Sequence, residues 1–258
     1  MKSSYDYKNI FNLNNKNIIV IGAANGIGNE ACKAIASHGA NLICSDIDNQ
    51  KIEILSNDLS NIYKNSVIKH QKVDILNRNE IKKLVNKFDK LDGIVCTPSI
   101  NVRKQIVDYT ENDFDKVINL NLKGTFNIIQ IASQKMIKNL QGSIIAFSSI
   151  RGTVVEPGQS VYAASKAGTE KLINTLASEI GKYNIRANTI SPGPVMTQLT
   201  QQLRDDKNWN DAYKSKPALK RWAYPNELVG GILYLLSDAS SYVTGSNLRI
   251  DGGWTSQD

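Results

Sequence analysis

The sequence feature that most constrains the fold is a glycine-rich segment between an apolar run and a helical pattern. Asn17–Ile21 is a short apolar run typical of a buried strand, and it leads directly into Gly22-Ala23-Ala24-Asn25-Gly26-Ile27-Gly28. A helical pattern follows at residues 26–37. Glycine permits a tight turn and a close approach of backbone to a pyrophosphate, while free N–H groups at a helix start attract anions. The segment therefore predicts a dinucleotide site after the first strand.

Short apolar runs alternate with amphipathic patterns along the rest of the chain. Strands are predicted at residues 17–21, 41–44, 66–72, 93–96, 143–147, 186–190 and 247–250. Helices are predicted at residues 26–37, 50–60, 78–88, 111–139, 161–182 and 226–236. Such alternation favours right-handed crossovers and a parallel sheet covered by helices on both faces. No linker, repeat or charge block interrupts it, so we predict an α/β fold: one Rossmann-type, doubly wound domain over residues 1–258.

An acidic residue after the second strand bears on the choice of dinucleotide. Asp46 stands where a carboxylate can accept hydrogen bonds from ribose hydroxyls. It would repel a 2′-phosphate, because two like unit charges about 4 Å apart cost about 4 kcal/mol at an effective dielectric constant near 20. The positions from which a base would compensate hold Ile47 and Asn25, so NAD is predicted as the cofactor. The alternative is that Asp46 begins a turn together with Asp48.

A second group of residues suits acid–base chemistry on an alcohol or a ketone. Tyr162 and Lys166 are four residues apart in a helical pattern and therefore share one face. The pKa of a phenol is ordinarily about 10, and a nearby ammonium with a positive nicotinamide ring should favour the phenolate. Ser149, thirteen residues before Tyr162, can hold the substrate oxygen, with Ser148 as the competing choice. A Tyr-x-x-x-Lys pair alone is common on helix surfaces, but here it follows a strand ending in Ser-Ser and a nucleotide loop.

Together these motifs resemble the short-chain dehydrogenase/reductase family over nearly the whole chain. The resemblance implies that Tyr162 is the catalytic acid/base, Lys166 its activating lysine and Ser149 the serine that orients the substrate. It implies a fourth catalytic residue, Asn121, in the middle of a long helix. Asparagine is unfavourable there because its amide competes with the backbone. We therefore expect a local helix distortion that frees a carbonyl for a water molecule bound to Lys166.

The same resemblance implies a set of cofactor-binding residues. They are Gly22, Asn25, Gly26, Ile27, Gly28, Asp46, Asp74, Ile75, Thr97, Tyr162, Lys166, Pro192, Gly193, Val195 and Thr197. Within this set Asp74 would contact adenine; otherwise it would be a helix cap in competition with Asn77. Two departures stand out: Ile21 replaces the usual Thr, and Cys96-Thr97-Pro98-Ser99 replaces the usual Asn-Asn-Ala-Gly. Because Pro98 cannot donate a backbone hydrogen bond, the second loop must be held differently.

The substrate is less constrained than the cofactor. Residues 191–197 resemble the family loop that holds the nicotinamide amide through the Val195 backbone and the Thr197 hydroxyl. Residues 198–222 follow this loop and are the least family-like segment, so we predict that they form a lid over the substrate. Arg103 and Arg151 follow the fourth and fifth strands, and either one alone would be interpreted as a solvated surface residue. Two arginines on adjacent loops favour an anionic or polyhydroxylated substrate, because guanidinium groups bind carboxylates through paired hydrogen bonds. Ser149, Tyr162, Arg103 and Arg151 are thus the predicted substrate contacts.

These inferences lead to a predicted NAD-dependent oxidoreductase that interconverts a secondary alcohol and a ketone. A small polar substrate is expected: a polyol, a sugar or a hydroxy acid. One alternative is a reductase of 3-oxoacyl groups on an acyl carrier protein, although Asp46 argues against the NADPH such enzymes usually take. The other is a catalytically inactive nucleotide-sensing protein of the same fold. The intact set of Asn121, Ser149, Tyr162 and Lys166 argues against it, since binding alone needs none of them.

Composition limits the partners. Lys and Arg number 31 against 24 Asp and Glu, a net charge of +7, but acidic residues are interspersed, so nucleic acid is not expected. The three cysteines and two histidines do not have the spacing of metal ligands, so no metal site is predicted. Cys32 and Cys44 are predicted to be buried apolar residues. No run approaches the roughly twenty apolar residues of a membrane span, and the N-terminus lacks a signal pattern. A cytoplasmic location is the default expectation.

Assembly is predicted from the two long helical patterns. Each carries a second apolar stripe, which a helix packed on its own sheet does not need. The stripes comprise Ile118, Leu122, Phe126, Ile129 and Ala132 in the first pattern and Leu172, Leu176 and Ile180 in the second. The family resemblance implies that these helices pair across a twofold axis, so we expect a homotetramer.

Overall fold

A parallel sheet forms the centre of the molecule in the computed structural model, which describes residues 7–257. Within these residues the strands are β1 Asn17–Ile21, β2 Asn41–Asp46, β3 Ile68–Lys72, β4 Gly93–Cys96, β5 Gly142–Phe147, β6 Ile185–Pro192 and β7 Asn247–Ile250. Their order in the sheet is β3-β2-β1-β4-β5-β6-β7, and every neighbouring pair is parallel. The predicted fold class is confirmed. The predicted limits of the domain include residues 1–6 and 258, which lie outside the described residues.

Helices cover both faces of the sheet. They are α1 Gly26–Ser37, α2 Asn49–Ile62, α3 Arg78–Val85, α4 Glu111–Ile118, α5 Thr125–Asn139, α6 Ser160–Ile180, α7 Gln201–Asp205, α8 Lys207–Ser215 and α9 Val229–Leu236. Residues of α1, α2 and α9 pack in one apolar core, and residues of α3, α5 and α6 pack in the other. The predicted single helix over residues 111–139 is wrong in one respect, because a π-helical segment, Asn119–Gly124, separates α4 from α5.

The first strand shows why apolar runs of this kind form a buried parallel sheet. Successive side chains point to opposite faces, and here both faces are covered. Ile18 and Val20 enter the core with α1 and α9, whereas Ile19 and Ile21 enter the core with α3, α5 and α6. All four are at most 1% exposed. In a strand that is buried on both faces, polar and apolar residues cannot alternate. This explains the continuous apolar sequence of β1.

The strand order places a crevice at the carboxyl end of the sheet. β1 lies between β2 and β4, so the connections that leave β1 and β4 run in opposite directions along the sheet. Such a switch point leaves a gap between the loops, where ligands bind in open α/β sheets. The glycine-rich loop follows β1, and Ser149 follows β5 at the same edge.

Other sequence expectations concern the cysteines, metals and membranes. Cys32, Cys44 and Cys96 are free and buried, as predicted for the first two. Over residues 7–257 no three His, Cys, Asp or Glu side chains are grouped so that they could hold a metal ion. None of the helices in that same part of the chain has both the length and the apolar character needed to cross a bilayer.

Candidate active site

Two adjoining cavities lie at the carboxyl edge of the sheet. The larger, about 460 Å³, runs along the glycine-rich loop, and the smaller, about 120 Å³, surrounds Tyr162. Residues from several loops line both of them: Ile27, Thr97, Ser99, Phe147, Thr197 and Leu199. The two cavities therefore form one cleft. Its walls contain all the predicted cofactor and substrate residues and, among the predicted catalytic residues, all except Asn121.

The glycine-rich loop is too tightly packed for side chains. Gly22 has φ +90°, and a Cβ there would lie 2.2 Å from the Thr97 Oγ1 atom. A Cβ on Gly28 would lie 2.0 Å from the carbonyl oxygen of Gly22. Helix α1 begins at Gly26 without a capping hydrogen bond from the Asn25 side chain and without an acidic residue in its first turn. Its first N–H groups are left for an anion, so the loop fits a dinucleotide pyrophosphate.

The far end of the large cavity is acidic. The Asp46 carboxylate accepts hydrogen bonds from the N–H groups of Ala24 and Asp48, each at 3.1 Å. It therefore makes the turn with Asp48 that was the alternative interpretation, and it also lines the cavity. Asp74 lines the same cavity, and no Lys or Arg is among the described residues of its wall. This distribution of charge is suited to hydrogen bonds from ribose hydroxyls.

Asp74 and Asn77 turn out to divide two roles between them. Asn77 caps α3, and its side chain accepts hydrogen bonds from backbone N–H groups of the first turn, including that of Glu80. The Asp74 carboxylate accepts a hydrogen bond from the Leu76 N–H at 2.8 Å. Asp74 is therefore not the helix cap, and together with Ile75 it lines the large cavity.

The loop after β4, where the family motif is replaced, is held from two sides. The Thr97 hydroxyl donates to the carbonyl oxygens of Ile21, at 3.0 Å, and Gly22, at 3.3 Å. On the other side, the Asn121 amide accepts from the Ile100 N–H at 2.9 Å and donates to the Ile100 carbonyl at 2.8 Å. Side chains thus supply the restraints on this loop that Pro98 cannot.

Asn121 lies in the π-helical segment, so the expected helix distortion is present. Its side chain is 1% exposed, and Nδ2 also donates to the Ser165 hydroxyl at 3.1 Å. The Asn121 carbonyl oxygen accepts a hydrogen bond from the Thr125 hydroxyl at 2.7 Å. Asn121 lies behind the cleft wall and supports the loop at Ile100.

Tyr162, Lys166 and Ser149 meet at the wall of the small cavity. The Lys166 Nζ atom donates to the Phe147 carbonyl oxygen at 2.8 Å and lies 5.6 Å from the centre of the Tyr162 ring. The Ser149 hydroxyl interacts with the phenol. The Ser148 hydroxyl donates instead to the Lys166 carbonyl at 3.0 Å. Of the two serines, Ser149 is therefore the one that can reach a substrate oxygen beside Tyr162.

Burial dominates the acid–base properties of this pair. It raises the pKa of the Tyr162 phenol, and the hydroxyls of Ser149 and Ser99 oppose that rise. It also lowers the pKa of the Lys166 ammonium to about 8. We expected Lys166 to lower the pKa of the Tyr162 phenol towards neutral pH. The protein groups alone do not achieve this, because the desolvation of the phenol raises its pKa more than its neighbours lower it.

The segment after β6 forms the wall opposite Tyr162. Pro192, Gly193 and Val195 line the small cavity, and Thr197 lines both cavities. A Cβ on Gly193 would lie 2.7 Å from the Asp251 Cα atom, so the close packing of this segment requires glycine. These residues therefore contribute to the wall of the cleft near Tyr162.

The predicted lid forms a small core of its own. Leu203, Tyr213 and Trp222 are buried together, and Met196 and Trp254 pack against them. The Tyr213 and Trp222 rings stack at 5.2 Å between centroids, and Tyr213 also lines the small cavity. The segment therefore lies against the predicted substrate site.

The two predicted arginines both line the small cavity, but in different environments. Arg151 is buried, 6% exposed, and its guanidinium forms an ion pair with Glu156 at 3.0 Å. Arg103 is 27% exposed and lies 3.8 Å from the same carboxylate. Glu156 and Asn101 were missed by the sequence analysis. Both lie in irregular loops, where no periodic pattern reveals which side chains point inward.

The fold and the cleft define a dinucleotide-dependent oxidoreductase, and comparison with known proteins agrees. Residues 22–255 match the sequence model of a family described as enoyl-(acyl carrier protein) reductase. The 3-oxoacyl-(acyl-carrier-protein) reductase of Thermotoga maritima is 36% identical over 245 residues, which cover 93% of this chain and 98% of that protein.

Solved structures are similar over the same length. A short-chain type dehydrogenase/reductase from Mycobacterium marinum is 28% identical with a TM-score of 0.91, covering 97% of this chain and 99% of that one. A gluconate 5-dehydrogenase from Burkholderia cenocepacia, solved with NADP and tartrate, is 26% identical with a TM-score of 0.92 and the same coverage. The chain belongs to the short-chain dehydrogenase/reductase family, and it is a nicotinamide-dinucleotide-dependent oxidoreductase acting on CH–OH groups.

Proposed function

We propose that this protein is an NAD-preferring dehydrogenase that interconverts a secondary alcohol and a ketone in a small polar substrate. The observation that carries the proposal is the wall of the small cavity. Within about 120 Å³, Tyr162 is accompanied by Arg103, Arg151, Asn101 and Gln159. Charged and amide groups at this density favour a substrate rich in hydroxyl or carboxylate groups over an acyl chain.

The residues at the inner end of the cleft supply the proton chemistry. In alcohol oxidation, the Ser149 hydroxyl holds the substrate oxygen while the Tyr162 phenolate removes its proton; in reduction, the phenol returns one. The Lys166 ammonium stabilises the phenolate, and Asn121 keeps the neighbouring loop in place. The residues from Gly22 to Gly28 and Asp46 would hold NAD, which would supply the hydride-transfer chemistry of the reaction.

NAD preference follows from the acidic end of the large cavity. We expect NAD(H) to bind at least tenfold more tightly than NADP(H), about 1.4 kcal/mol, because Asp46 would face the 2′-phosphate. Lys51 pairs with Asp48 at 3.2 Å and is not part of the cavity wall. Titration of the apoprotein with both dinucleotides checks this, and Asp46→Ala should narrow the difference. Equal or tighter binding of NADP(H), the dinucleotide bound in the Burkholderia cenocepacia structure, would refute the preference.

A second candidate is reduction of 3-oxoacyl groups on an acyl carrier protein. It is favoured by the name of the Thermotoga maritima relative and by the net charge of +7, which would attract an acidic carrier. The Arg103 guanidinium at the substrate cavity argues for the first candidate, because an acyl chain would gain nothing from its charge.

One experiment separates the two candidates. Oxidation of polyols, sugars and hydroxy acids is measured with NAD, and reduction of a 3-oxoacyl thioester is measured with NADH and NADPH. The proposed function predicts that a polyol, sugar or hydroxy acid gives the highest kcat/KM. A thioester that is reduced best, with NADPH, would establish the second candidate instead. Tyr162→Phe serves as the control for activity from contaminating enzymes.

A further inference from the structure

A buried carboxylate lies directly behind the wall of the substrate cavity. The Glu156 side chain is 5% exposed and faces three cations from separate segments. Its oxygens lie 3.0 Å from the Arg151 guanidinium, 3.8 Å from that of Arg103 and 3.9 Å from the Lys216 ammonium. A carboxylate is stable in such a position only when paired and hydrogen-bonded. Glu156 therefore fixes how much positive charge the cavity presents.

Arg151 is almost fully engaged by this cluster. Besides the ion pair with Glu156, its guanidinium donates to the Tyr213 hydroxyl at 3.2 Å and lies 5.0 Å from the centre of the Trp254 ring. Tyr213 and Gln159 in turn donate hydrogen bonds to Glu156. The charge of Arg151 is compensated and its position is fixed, so its main effect is on the shape of the cavity.

Arg103 is in the opposite situation. It is 27% exposed, its one ion-pair contact is at 3.8 Å, and its guanidinium makes no hydrogen bond to another residue of the described chain. Its N–H donors are thus available beside Tyr162. Asn101 lines the same cavity; its amide nitrogen donates to Gln159 at 2.9 Å, while its buried Oδ1 has no hydrogen-bond partner within residues 7–257. The Arg103 guanidinium is suited to bind a carboxylate of a ligand, and the Asn101 Oδ1 atom is suited to accept a hydrogen bond from a hydroxyl of the same ligand.

We propose that Glu156 sets the charge of the substrate, so that the enzyme acts on hydroxy acids with a single carboxylate, which Arg103 binds. Glu156 neutralises Arg151 and leaves one guanidinium for the substrate. A neutral polyol leaves Arg103 without an anionic partner. A second carboxylate on the substrate finds no second free guanidinium in the cavity wall, because Glu156 already engages Arg151. The proposal rests on the proposed function and specifies its substrate class.

The first test uses the wild-type holoenzyme and three substrates of equal carbon number. These are a polyol, the corresponding hydroxy monocarboxylate and the corresponding hydroxy dicarboxylate. We expect kcat/KM for the monocarboxylate to exceed both others at least tenfold, as one hydrogen bond to a charged group provides roughly that factor. Preference for the polyol or the dicarboxylate overturns this proposal while leaving the proposed function standing. Absence of turnover with all polyols, sugars and hydroxy acids overturns both.

The second test changes the charges individually. Glu156→Gln keeps the shape but removes the negative charge, so the ratio of kcat/KM for dicarboxylate over monocarboxylate should rise at least tenfold. Arg103→Ala should raise KM for the monocarboxylate roughly tenfold to a hundredfold, with the polyol affected less than about threefold. Arg103→Lys should restore part of the loss. Lys83→Ala removes an equal charge from the exposed surface of α3, away from the cleft, and controls for net charge.

The proposal can still be tested if one of the variants is unstable. Thermal unfolding and the Kd for NAD establish that each variant is folded. Should Glu156→Gln fail to fold, the comparison of Arg103→Ala with Arg103→Lys is sufficient. An unchanged KM for the monocarboxylate in Arg103→Ala, or an unchanged substrate ratio in a folded Glu156→Gln protein, overturns the proposal.

Discussion

At the scale of single residues, the proposed chemistry depends on one buried phenol. Tyr162→Phe removes the titrating hydroxyl and leaves the ring, which is 8% exposed, in place. Turnover should fall by about two orders of magnitude or more, the usual range for general acid–base catalysis. The Kd for NAD should change little, because the glycine-rich loop is untouched. Steady-state kinetics and NAD titration measure the two effects, and near-normal turnover would contradict the mechanism. Lys166→Ala should lower turnover and also weaken nicotinamide binding.

Ser99 gives a prediction about pH. Its hydroxyl favours the phenolate form of Tyr162 and so opposes the rise that burial causes in the pKa of that phenol. Ser99→Gly removes this donor, so the pKa of Tyr162 rises further and the base form appears only at higher pH. The increase of kcat/KM with pH in alcohol oxidation should therefore move to higher pH. Ser99→Thr, which keeps a hydroxyl, is the matched control. An unshifted profile in Ser99→Gly would show that Ser99 does not act on the phenol.

Residues whose partners are close in sequence were the ones that could be predicted. Tyr162 and Lys166 lie one helical turn apart, and the glycines need only their own loop and the adjacent helix. Glu156 could not be found in this way, because its ion-pair partners Arg103 and Lys216 come from segments far apart in the chain. Only the folded arrangement shows that this carboxylate is buried.

At the scale of elements, every predicted strand exists. The inner strands β1 and β4 are continuous apolar runs because both of their faces are buried, whereas the edge strand β3 has no buried residue. The predicted ends of the strands were less accurate. β2 continues beyond residue 44 to Asp46, and β6 continues beyond residue 190 to Pro192, because the backbone of these residues pairs with neighbouring strands. The π-helical break in the helix predicted over residues 111–139 depends on contacts to Ile100 and Ser165, which helical periodicity does not report.

The lid offers a prediction at this scale. Trp222 is 1% exposed, stacks on Tyr213, and donates from Nε1 to the Asn210 side chain at 2.8 Å. Trp222→Ala should release Tyr213 from the substrate cavity, so KM for the substrate should rise at least about tenfold while the Kd for NAD is retained. Tyr242→Ala, at a fully exposed ring outside the lid, is the control. A rise in KM of equal size in both variants, or in neither, would contradict the assignment of a lid.

At the scale of the whole molecule, the long helices carry fewer outward apolar residues than their sequence indicates. Ile129, Ala132 and Ile180 belong to the core of the protomer and are at most 4% exposed. Their assignment to an outer stripe was wrong, because these positions face the sheet. Phe126, 40% exposed, remains outside, and Phe114, 48% exposed, adds to it. The outward surface is narrower than predicted but contains two aromatic rings.

These two rings support the expectation that the protein assembles into a homotetramer. Exposed phenylalanines on α4 and α5 would be stabilised by burial against a second copy, at about 25 cal/mol for each Å² of apolar surface removed from water. Light scattering at micromolar concentration should give a mass four times that of one chain. Phe126→Glu combined with Phe114→Glu should shift the protein to smaller species, because burying two carboxylates without partners is unfavourable. Tyr242→Glu, at a fully exposed position before β7, should leave the mass unchanged. A monomeric mass for the wild-type protein would rule out the assembly.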